Sequence, residues 1–126
     1  MSDQATVRLA GTNVPEGKLL SFQILCNGTS TPTIGENRGN IVASVTRTGV
    51  GVYAIVLSDK YVACSGAFLQ LEEGTLSDSD LKVKTFTATT TKILTIGIFT
   101  AGVAADIAAA AGTIHVLLMM RDTTAQ

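Results

Sequence analysis

Gly49-Val50-Gly51-Val52-Tyr53-Ala54-Ile55-Val56-Leu57 decides the fold, because small and large apolar residues alternate here between a glycine pair and the turn formers Ser58-Asp59. A short apolar run bounded by turn signals and rich in β-branched residues reads as a strand covered on both faces. Just upstream, Ile41 to Arg47 alternates with Ile41, Ala43 and Val45 on one side. The short spacing between the two segments predicts a hairpin.

The same period recurs further out. In Lys18 to Cys26, Leu20, Phe22, Ile24 and Cys26 share one face, and Ser21 and Gln23 lie on the other. Tyr61 to Glu72 sets Ala67, Leu69 and Leu71 against Phe68, Gln70 and Glu72, with Gly66 marking a bulge or a close backbone approach. Lys82 to Ala88 and Thr91 to Phe99 are threonine-rich and β-branched, and predict a tight hairpin through Thr89-Thr90. Thr113 to Arg121 is the closing strand.

At the other end, residues 1–5 read as an arm, and Ala5 to Ala10 alternates well enough to be a first strand. Gly11 to Gly17 is turn chemistry, and Asn27 to Gly39 is the longest irregular stretch, of a size often given to function or mobility. Glu73 to Asp80 is an acidic, polar corner rich in serine and aspartate. Ala101 to Ala111 has helical propensity but is too short to stand alone, so this stretch reads as a loop that allows a helical turn. About eight short, evenly spaced strands with little helix define an all-β protein. A β-sandwich of jelly-roll-like type is favoured over an open sheet.

With 126 residues the chain suits one domain over 1–126, yet 46% of it is hydrophobic and only 15% charged. A domain this small has too much surface to hide that much apolar material alone, which predicts a homo-oligomer. Nine basic and ten acidic residues are scattered without a run, so neither a nucleic-acid stripe nor such a partner is expected. The opening residues carry no secretory signal pattern. Residues 93–120 are broken by Asp106, His115 and three glycines, unlike a membrane-spanning helix.

The chemistry-bearing residues are sparse. Cys26 and Cys64 lie in apolar strand patterns 38 positions apart, and read as buried free thiols in preference to a disulfide or a zinc knuckle. His115 is the single histidine, placed mid-strand beside Ile114 and Val116 with no nucleophile motif nearby, so packing or an interface explains it better than catalysis. Glu72, Glu73, Asp78 and Asp80 cluster without the spacing of a calcium loop. The glycines at 49 and 51 precede a strand, whereas phosphate loops need a helix. The Asn27-Gly28-Thr29 sequon reads as a turn. No enzyme, metal or cofactor is expected.

Two segments carry a resemblance. Gly49 to Tyr61 and Ala104 to Arg121 together resemble small virion proteins of tailed bacteriophages, in which a "tGvYtvtL.d.Y" strand precedes an "aaDla.gt.vhvLl.lr" segment. Residues 47–121 are covered, and the alanine run here is longer than in that pattern. The resemblance implies a capsid-decorating, or cement, protein: a β-sandwich homotrimer on the outer surface of the capsid, made in the host cytoplasm. Its partners would be its own copies and the major capsid protein, gripped by many weak contacts at once. Expected subunit contacts are Tyr53, Phe68, Phe99, His115, Leu117 and Met119. Expected capsid contacts lie in the arm and in the 27–39 loop, through Arg8, Glu36 and Arg38. The competing expectation is a trimeric receptor-binding knob of a tail fibre, which would normally follow a shaft segment that these 126 residues do not include.

Overall fold

The computed structural model describes residues 17–74 and 78–121. The expected N-terminal arm, the strand over residues 5–10 and Arg8 lie outside the described residues.

The described chain is all-β, with nine strands and no helix among the described residues. In chain order they are β1 (Gly17–Leu25), β2 (Thr33–Ile34), β3 (Val42–Gly49), β4 (Val52–Leu57), β5 (Ala63–Glu73), β6 (Ser79–Thr87), β7 (Ile93–Thr100), β8 (Val103–Ala104) and β9 (Gly112–Arg121). They form two antiparallel sheets, one in the order β2-β1-β9-β5 and the other β3-β4-β7-β6, with β8 added beside β7. Closing strand β9 therefore sits at the centre of the first sheet, paired along its length with β1 and β5. The hairpins β3–β4 and β6–β7 lie together in the second.

Alternation explains the sandwich. Leu20, Phe22 and Ile24 of β1 and Ile114, Val116, Leu118 and Met120 of β9 face Tyr53, Ile55 and Leu57 of β4 and Leu94, Ile96 and Ile98 of β7, and all are buried. Each full burial of such a side chain contributes about 1.5–3 kcal/mol. A one-residue slip would turn this entire set to solvent, which fixes the register.

Two expectations are corrected here. The stretch 49–57 is not covered on both faces: Val52, Ala54 and Val56 are only half-buried while Tyr53, Ile55 and Leu57 are enclosed, because nothing among the described residues is laid over the outer side of β4. The helical turn allowed within 101–111 is instead the short strand β8 followed by a loop. That loop is held by backbone bonds from Ala105 to Ile98 and from Gly28 to Ile107.

Ala101-Gly102 joins β7 to β8 with both residues at positive φ (53° and 83°), the pattern of a two-residue hairpin turn that favours Asn or Gly first. Alanine there sits against its steric preference. Ala101→Gly should therefore raise stability by about 0.5–1 kcal/mol, read as a rise in the urea midpoint at unchanged slope.

Tyr53 is the one large polar side chain in the core. Its Oη has no hydrogen-bond partner among the described residues. The Cys26 thiol lies near enough to act on it electrostatically but not in hydrogen-bond geometry. Burial first, then this thiol, push the phenol well above its usual ionisation range. Removing an orphaned buried hydroxyl relieves a desolvation cost. Tyr53→Phe should thus be neutral or stabilising by up to about 1 kcal/mol, measured by chemical denaturation.

Candidate functional site

The outer face of the β2-β1-β9-β5 sheet is built by the residues that alternate with the core. The register stacks them in rows across β1, β9 and β5: Leu19, Met119 and Gly66, then Ser21, Leu117 and Phe68, then Gln23, His115 and Gln70, then Leu25, Thr113 and Glu72. The first two rows are apolar and open, with Leu19 51%, Phe68 55% and Leu117 38% exposed. The third row is polar. A shallow groove of about 330 Å³ runs between these rows, lined by Ser21, Gln23, Phe68, Gln70, His115 and Glu36 among others.

His115 is tied at both ring nitrogens. Nε2 lies 2.7 Å from Glu72 Oε1, and Nδ1 lies 3.4 Å from the Gln23 amide nitrogen. With the proton on Nε2 the ring donates to the carboxylate and accepts from the amide. This fixes its orientation on the sheet. Burial pushes both thiols, Cys26 and Cys64, up from their ordinary range, so neither is poised as a thiolate. Both cysteines are free. Among the described residues no group of His, Cys, Asp or Glu is arranged to hold a metal ion. No helix of the described residues is long and apolar enough to cross a membrane.

Of the expected subunit contacts, the fold brings four together on this face: Phe68, His115, Leu117 and Met119. Tyr53 is corrected: it is fully enclosed between the sheets and offers no surface to another chain. Phe99 lies on the opposite sheet, half-buried, with the Lys82 ammonium 5.5 Å from its ring centroid. Glu36 and Arg38 are exposed in the loop after β2 and form an ion pair with each other at 2.8 Å. An exposed pair of this kind contributes little to stability, so both charges remain available to a partner. Leu19 was not singled out from sequence, although its place one residue before the inward Leu20 puts it in the apolar patch.

A second feature lies at one end of the sandwich. Arg47 of β3 grips Asp106 with two bonds, Nε to Oδ1 at 3.0 Å and Nη2 to Oδ2 at 2.7 Å, and the Gly51 N–H donates to Oδ1 at 2.8 Å. One carboxylate thus pins the β3–β4 turn to the loop before β9. The hydrogen bond from Arg47 holds the Asp106 carboxyl below its usual range against the opposing effect of burial, and the Gly51 N–H adds to this. A lowered folded-state value means that the stabilisation is complete above the unfolded carboxyl's pKa of about 4 and is lost as pH falls through the folded value. Asp106→Asn should lower the melting temperature at neutral pH and flatten its fall as pH drops below about 4. A variant with an unchanged acid slope would remove Asp106 from this role.

Comparison with protein-family models, with curated proteins and with solved structures gives no match for the chain.

Proposed function

We propose that this chain is a structural, non-catalytic virion protein of a tailed bacteriophage, a cement protein that decorates the outer capsid surface as a homotrimer and stabilises the head. The observation that supports this most is the open apolar face of Leu19, Phe68, Leu117 and Met119. Beside it, His115 is held by Glu72 and Gln23. On this reading the apolar rows meet other copies, while Glu36 and Arg38, with Arg8, reach the major capsid protein. Three linked copies turn weak single contacts into stable attachment.

Light scattering on the purified chain, followed by co-sedimentation with phage heads, tests the reading. A trimer that pellets with heads is the expected result. A monomer overturns it, and a trimer that ignores heads and binds host cells favours a receptor-binding knob.

A further inference from the structure

The charge of the outer face of the β2-β1-β9-β5 sheet hangs on one imidazole. From Leu19 to Leu25 of β1, Thr113 to Met119 of β9 and Gly66 to Glu72 of β5, the outward residues include one carboxylate, Glu72, and one histidine, His115. Gln23 on β1 and Gln70 on β5 flank the ring in its own row and stay neutral. The loop after β2 brings Glu36 to the same groove, but Arg38 pairs with it at 2.8 Å and offsets its charge. Arg121, the next outward charge of β9, lies about 20 Å along the strand from His115, out of reach of an exposed charge at physiological salt. The contact of 2.7 Å between His115 Nε2 and Glu72 Oε1 therefore joins the two groups that set the charge of the face. With a neutral ring the Glu72 charge stands uncompensated. With an imidazolium it is cancelled.

We propose that this pair is a pH switch on self-association: copies of this chain meet across the face when His115 is protonated and part when it is not. The switch rests on the reading that the apolar rows meet other copies. In the isolated chain the His115 and Glu72 side chains are 37% and 69% exposed, so water serves both protonation states. A copy laid over Leu117 and Phe68, one row away, strips water from the pair. A carboxylate desolvated beside a neutral ring is costly, and every copy repeats the cost. Beside an imidazolium it forms a charge-compensated hydrogen bond.

Assembly thus takes up protons, and linkage makes it tighter as pH falls through the range in which histidines change charge, about pH 8 to 5. Burial holds both thiols above this window, and Arg47 holds the Asp106 carboxyl below it, so neither contributes.

Sedimentation velocity on dilution series of the purified chain at pH 6 and pH 8, at one ionic strength, reads the dissociation constant, and thermal melts check that each variant is folded. The wild type should associate about tenfold or more tightly at pH 6 than at pH 8. His115→Gln, whose amide stays neutral, should associate at both values as weakly as the wild type does at pH 8. Glu72→Gln should invert the dependence, because its face is neutral at pH 8 and carries an unpaired imidazolium at pH 6. A packing role alone would weaken both variants alike at every pH. An association of the wild type that ignores pH, a His115→Gln variant as pH-dependent as the wild type, or a Glu72→Gln variant without the inversion overturns the switch and leaves the reading of the face standing. A chain monomeric at both pH values overturns the two together.

Discussion

Gly51→Ala should cost about 3–5 kcal/mol, the sum of a left-handed backbone imposed on an L-residue and an overpacked contact. Gly51 has φ of 66°, and a Cβ there would lie 2.5 Å from the Ala105 carbonyl oxygen, 2.7 Å from that of Ile98 and 2.9 Å from the Ala105 nitrogen. These are backbone atoms of β7 and of the loop after β8, and cannot swing aside as a side-chain tip would. The Gly51 carbonyl accepts from Ile98 N–H and its own N–H donates to Asp106, so a shift that relieved the clash would break both bonds. The same chain supplies two controls. Gly39 has φ of 75° but open space around it, and Gly49 has neither positive φ nor a neighbour within 4 Å. Gly39→Ala should therefore show the backbone strain alone, about 1–2 kcal/mol, and Gly49→Ala almost no loss. In thermal unfolding, Gly51→Ala should lower the melting temperature by roughly 10–20 °C. Equal shifts for all three variants would refute the close-approach account.

This junction also shows where the sequence was legible and where it was not. The alternation in Leu20 to Cys26 assigned the inward face of β1, because one buried face imposes period two on every side chain, whereas its pairing with β9 and their register appear only in the fold. Val52, Ala54 and Val56 misled, since their apolar character suits a half-covered sheet as well as a covered one. Asp106 stood inside an alanine-rich run that favoured a helical reading, and nothing local tells a carboxylate in a loop that an arginine 59 positions away will meet it. The same carboxylate also accepts from the Gly51 N–H, which no local pattern shows either. The openness of the β5–β6 side was hidden for a related reason. Leu69 and Leu71 alternate as core strands do, Val83 and Phe86 share the inward face only through the register shift between Val83 and Thr85, and only the order of strands reveals that β5 and β6 lie on an edge.

Phe68→Glu combined with Leu117→Glu should leave the fold intact and convert the expected trimer to monomer. The two residues are cross-strand partners on the outer face and are 55% and 38% exposed, so charge placed there remains solvated in the isolated subunit and costs it little. In an interface the same carboxylates would be stripped of water beside copies of themselves, and buried like charges without partners cost several kcal/mol each. The loss therefore appears in association and not in folding. Ala54→Glu, half-buried on the outer face of the opposite sheet, serves as the control that should leave the mass unchanged. Light scattering reads the mass, and far-ultraviolet circular dichroism with thermal melts reads the fold. The double variant monomeric and folded, with head binding weakened at least in proportion to the lost multivalency, is the expected outcome. A double variant that stays trimeric would move the subunit contact off this sheet.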